Sequence, residues 1–131
     1  MALLLYYFVT ADGIPLRGQW ISFTELPDGK FYNQAFQGYT GQQIARTFED
    51  HHQRFERAAE SLGGVRQYHG DVSYSFQALP HVPLMVVYWA GDEDFPSNFQ
   101  ILFDATASHY LPTDAYAILG STLTRRLISV Q

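Results

Sequence analysis

Cysteine is absent from the 131 residues. That excludes a disulfide framework, a zinc ribbon, a thiolate-bound iron–sulfur cluster and a cysteine nucleophile, each of which needs a sulfur ligand or an attacking thiolate. Basic residues are also few. Eight Lys and Arg stand against 13 Asp and Glu, for a formal charge of −5, and the cations are scattered rather than clustered. A surface that neutralises phosphates is therefore not expected, nor is nucleic acid as a partner. Long apolar runs are missing too: the most apolar stretch, Ala2 to Val9, is far shorter than the roughly 20 residues that span a hydrocarbon core. It has no basic segment and no small-residue cleavage site around it, so neither membrane nor secretion is expected and a cytoplasmic location is the default.

What is present is aromatic. Ten Phe, nine Tyr and two Trp, in a chain that is 47% hydrophobic and 16% charged, mark a folded domain. At this length about 65–70% of the surface of the unfolded chain is buried on folding, enough for one core without a staple. No repeat, linker or low-complexity run divides the chain, which is read as a single domain over residues 1–131.

Local patterns then suggest elements. Leu3 to Phe8 read as a core helix without a cap, ended by Asp12-Gly13-Ile14-Pro15. Its uncovered leucines imply a homo-oligomer or a partner lying over that helix. Trp20 to Phe23 read as a short strand, Leu26-Pro27-Asp28-Gly29 as a hairpin corner, and Phe31 to Tyr39, with no clean period, as an aromatic loop. Thr40-Gly41-Gln42-Gln43 fits a capping box opening one long helix, whose apolar stripe is Ile44, Phe48, His51, Phe55, Ala59 and Leu62, stopped by Gly63-Gly64. Val72 to Ala78 alternates as a half-buried strand with Ser, Ser and Gln outward. Leu84 to Trp89 is apolar on both faces, as a covered central strand would be, and Phe99 to Asp104 completes an antiparallel meander. A last helix opens with Thr113 as N-cap, with Ile118, Leu119, Leu123 and Leu127 inward. The fold class is α+β: an antiparallel sheet of about three to five strands packed against a long middle helix and a C-terminal helix.

Polar side chains of chemical interest concentrate between Gly91 and Asp114. Asp104 either ties down its own turn, as Asx residues do, or faces a hollow with its neighbours. Asp104, His109 and Asp114 could offer mixed carboxylate and imidazole ligands to a divalent ion, although no EF-hand loop and no His-Glu-x-x-His occurs. Ser108 and His109 are adjacent, and neighbours in an extended chain point to opposite sides, so a Ser–His catalytic pair is awkward. No Gly-x-Ser-x-Gly elbow and no phosphate-binding glycine loop is present. His51, on the apolar stripe, is either a hydrogen-bonded core histidine or a haem or metal ligand in a pocket lined by Phe48 and Phe55. No cofactor is specified by these residues.

Several segments together resemble one family. They are Gly18-Gln19-Trp20-Ile21-Ser22-Phe23-Thr24-Glu25-Leu26-Pro27, Phe55 to Gly64, Trp89-Ala90-Gly91-Asp92-Glu93-Asp94-Phe95-Pro96, Ile101-Leu102-Phe103-Asp104 and Ser108-His109-Tyr110-Leu111-Pro112-Thr113-Asp114. The pattern is similar to the uncharacterised bacterial and archaeal family called domain of unknown function 3786, over almost the whole chain. The resemblance implies no activity. The resemblance implies a further N-terminal segment before the helix at Ala2 to Val9, which is not expected in this chain, and an association of some members with cysteine-rich iron–sulfur modules, whose ligands a chain without cysteine does not supply.

Two functions remain open. The first is a non-catalytic domain that binds a small molecule or a partner at the end of the sheet, through Asp104, Ser108, His109, Tyr110 and Thr113 with Trp20 and Glu25. The second is a small metal- or acid/base-dependent enzyme using Asp104 and His109.

Overall fold

The computed structural model describes residues 19–130. The N-terminal helix expected at Ala2 to Val9, its end at Asp12 to Pro15 and the association drawn from its leucines lie outside the described residues. Five antiparallel strands form one sheet in the order β1-β5-β4-β3-β2. They are β1 (Trp20–Ile21), β2 (Val65–Gln67), β3 (Val72–Leu79), β4 (Val82–Trp89) and β5 (Asn98–Asp104). The helices are α1 (Gly29–Tyr39), α2 (Gly41–Phe48), α3 (His52–Ser61), the single turn α4 (Ala107–Tyr110) and α5 (Thr113–Ser129), with a 3-10 turn at Phe23–Glu25. The α+β class and the antiparallel meander expected over residues 71–104 are present. Among the described residues no helix is long and apolar enough to cross a membrane.

The sheet follows from alternation and turn chemistry. Strands β3 and β4 are joined across Pro80-His81, where Leu79 pairs with Val82 and His81 takes the positive φ that a tight turn demands. In β4, Leu84, Val86 and Tyr88 belong to the core that meets the helices. Met85 and Val87 alternate with them and are equally buried. On β3 the expected outward Ser73 is fully buried instead, and its hydroxyl is satisfied there by accepting the His69 N–H at 3.0 Å.

Helix α1 replaces the expected aromatic loop. Its only fully buried large side chain is Phe36, while Phe31 is 84% exposed, so no stripe exists for periodicity to detect. Packing fixes it. The Phe36 ring stacks on Phe23 at 4.1 Å and 9° and lies 6.0 Å from Phe103 on β5. Asn33 and Gln37 add a bond one turn apart at 3.2 Å.

The expected long middle helix is two helices. Glu49 adopts a positive φ of 49°, which breaks the i to i+4 ladder and lets Phe48 and Phe55 meet edge-on at 5.9 Å, each also in contact with Phe99. One consequence is that His51 lies exposed at the break, away from the stripe. The expected capping box is not formed either. The Thr40 hydroxyl donates back to the Phe36 carbonyl and the Gln43 amide donates to the Gly38 carbonyl at 3.2 Å, so both side chains tie the corner between α1 and α2.

Helix α5 begins after Pro112, not after an N-capping Thr113. Its buried face is Ala115, Tyr116, Gly120, Leu123, Thr124 and Leu127; Ile118 is 52% exposed and Leu119 half-buried, so the expected stripe is rotated. The rotation has a cause at Gly120. A Cβ there would lie 2.9 Å from the Phe36 ring, so α1 crosses α5 only where one helix lacks a side chain.

Two glycines test this packing. Gly38 in α1 has nothing within 4 Å of an added Cβ, and Gly38→Ala should raise unfolding free energy by about 0.5–1 kcal/mol through helix propensity. Gly120→Ala should instead lower it by about 1–3 kcal/mol through overpacking. Urea denaturation of both variants measures this, and equal signs would contradict the crossing.

Candidate functional site

Beyond β5 the chain makes a tight corner. Asp104, 3% exposed, accepts the Thr106 N–H at 2.9 Å and the Thr106 hydroxyl at 2.5 Å, an Asx turn that swings the backbone out of the sheet. The Ala105 N–H is taken by the Gln19 carbonyl at 2.8 Å, beside β1. α4 follows for one turn, and the buried Tyr116 hydroxyl on α5 donates to the Ala107 carbonyl at 2.8 Å, closing the corner from the far side. The Thr113 hydroxyl donates to the Pro27 carbonyl at 2.6 Å, joining the start of α5 to the turn that precedes α1.

Between α1 and this corner lies a hollow of about 530 Å³. Its floor includes Phe23 and Leu111, both buried. One wall is Tyr32, Ala35 and Tyr39, which share a face of α1 because their spacings of three and seven residues are close to one and two helical turns. The facing wall is Thr113, Asp114 and Ala117 of α5, with Ser108 of α4 and Asp28 at the rim. The two alanines make the room and the two tyrosines, 62% and 42% exposed, bound it. The Ser108 hydroxyl bonds to none of the described residues and is available to a ligand.

The residues expected to form a site are distributed as follows. Ser108 and Thr113 line the hollow. Tyr110 is fully buried, with its ring stacked on His81 at 5.7 Å and 15° and met edge-on by His109 at 5.2 Å. His109 is exposed and Asp104 is enclosed in its turn; neither lines the hollow. Trp20 pairs with Asp104 in register on the sheet edge and meets His69 edge-on at 6.5 Å, while Glu25 is exposed at the end of the 3-10 turn. Among the described residues no three His, Asp or Glu groups converge to hold a metal, so Asp104, His109 and Asp114 do not form a ligand set. Nor is His51 in a pocket with Phe48 and Phe55, which pack on each other. Tyr32, Ala35, Tyr39 and Ala117 were not expected at a site. Their spacing would have identified them once residues 29–39 were read as a helix.

Burial, helped by the charge of Asp104 and by Tyr110, pushes the Tyr116 phenol above its ordinary value of 10.0. The unfolded chain therefore releases this proton first: the contribution is complete below pH 10.0 and is lost as the pH rises further. Tyr116→Phe should cost about 0.5–1.5 kcal/mol at neutral pH, by deleting the bond to Ala107, and should make stability fall less steeply above pH 10.0. Denaturant melts across pH 7–11 check both; an unaltered alkaline slope would contradict the assignment.

The model of the family described as Domain of unknown function (DUF3786) matches residues 1–126. No curated protein and no solved structure matches the chain.

Proposed function

We propose that this chain, which belongs to the DUF3786 family, is a non-catalytic binding domain whose hollow between α1 and α5 takes a compact, ring-bearing small molecule. The observation that carries the reading is the pair of exposed tyrosines flanking two facing alanines over an apolar floor. Concave, mostly apolar surfaces with a few polar groups are where small ligands bind. Tyrosine suits such a wall because it offers a large ring at low entropic cost and keeps a polar tip. Each ring-on-ring contact adds about 0.5–1.5 kcal/mol beyond area burial. Ser108 supplies a hydroxyl for orientation, while Asp28 and Asp114 on the lining favour neutral or cationic ligands over anions. The Asp104 corner then has a positioning part, holding α4 and the start of α5 against α1. The domain works in the cytoplasm on this reading, where a chain without cysteine loses nothing to the reducing environment.

Indole is a suitable probe of the hollow. Titrated into the isotope-labelled chain, it should shift the ring resonances of Tyr32 and Tyr39 and the methyl of Ala117, with saturation in the millimolar range. Ala117→Trp should fill the hollow and remove those shifts while the dispersed spectrum of the sheet is retained. Shifts that miss α1 and α5, or that survive in Ala117→Trp, would defeat the proposal.

A further inference from the structure

A second hollow, of about 340 Å³, lies at the other end of α5 and shares no lining residue with the first. It opens where α3 ends against the sheet. Gly64 is set so closely on the Phe76 ring that a Cβ there would approach it to 2.8 Å, which brings Leu62 and Gly63 alongside β3. Phe76 and Leu84 of the sheet form its apolar floor. Leu119, Thr122, Leu123 and Arg126 close it from α5, and their spacings of three, four and seven residues place them on one helix face.

Among the described residues one charged group borders this wall, the Arg126 guanidinium. The other two polar side chains are neutral and each already donates to backbone, Gln77 to the Leu79 carbonyl at 2.8 Å and Thr122 to the Ile118 carbonyl at 2.9 Å. No Asp or Glu lines the hollow. Arg126 meets no carboxylate among the described residues, where both ion pairs converge on Glu56. An apolar slot with one uncompensated guanidinium at its edge matches a molecule with an apolar tail and one anionic head. The planar fork of arginine pairs with a carboxylate through two parallel N–H···O bonds, an arrangement unavailable to a neutral hydroxyl. We infer that this hollow binds a medium-chain aliphatic carboxylate, tail against Phe76, Leu84 and Leu119 and head on Arg126. The ligand differs in class from that of the Tyr32–Tyr39 hollow, where the lining charges are negative.

Octanoate and octanol, titrated calorimetrically into the full chain, separate the tail from the head. Octanoate should bind saturably and octanol at least about tenfold more weakly. Raising the salt concentration should weaken octanoate and leave octanol unchanged. Arg126→Gln, at an exposed position that spares the fold, should bring octanoate down to the affinity of octanol. Leu119→Trp should fill the slot and abolish both. Absence of saturable octanoate binding would overturn the inference, as would an Arg126→Gln variant that binds octanoate as well as the parent chain. Octanoate-induced shifts at Tyr32 and Tyr39 would also overturn it, and would leave the indole experiment to judge the first hollow separately.

Discussion

Burial of the Phe36 ring is the constraint on which the helical layer depends. It is fully buried, stacked on Phe23, tilted against Phe103 and seated under the bare backbone of Gly120. Removing one such side chain from water contributes about 1.5–3 kcal/mol, and the ring contacts add to it. No other large side chain of α1 is fully buried, so Phe36 is the main anchor of the helix against β5 and α5. Two hydrogen bonds then fix its ends: Thr40 onto the Phe36 carbonyl, and Thr113 of α5 onto the Pro27 carbonyl.

The same geometry accounts for the hollow. A helix anchored through a single inward ring leaves its other faces unused, and Tyr32, Ala35 and Tyr39 occupy one of them. Where α5 crosses at Gly120 the two helices touch; one turn earlier, at Ala117, they have parted enough to leave space. The contact and the opening are therefore two parts of one crossing. Toward its C-terminal end α5 leaves α1 and lies over β3 and β4, where Arg126 borders the second hollow. One helix thus borders two spaces of opposite charge character.

How far the sequence disclosed this varies with the kind of signal. The meander was legible because β3 and β5 alternate and β4 is apolar throughout, and a period of two survives in short segments. Helix α1 is illegible because its stability comes from Phe36 rather than from a stripe, and because Gly38 is a poor helix former. The break at Glu49 left no mark either: Phe48 and Phe55 are seven apart, as in an unbroken heptad, and only the need to bring both rings onto Phe99 shows that the helix must bend. In α5 the buried face turns on Gly120 and Thr124, residues that hydrophobicity does not count. At the site, the sequence drew attention to Asp104 and His109 as chemically conspicuous. The structure gives Asp104 a turn to hold and places its neighbours Ser108 and Thr113 at the hollow. The tyrosines and alanines opposite share a face only when residues 29–39 are helical, and no apolar stripe marks that helix.

The seat of the Phe36 ring against residue 120 is tested most directly by a double-mutant cycle of Phe36→Leu with Gly120→Ala, read as unfolding free energies. Direct contact requires that the added methyl be costly against the ring and much less so against leucine, a coupling of about 1 kcal/mol or more. Additivity of the two substitutions within about 0.3–0.5 kcal/mol would mean that the ring and the glycine do not meet, and the crossing that opens the hollow would be wrong.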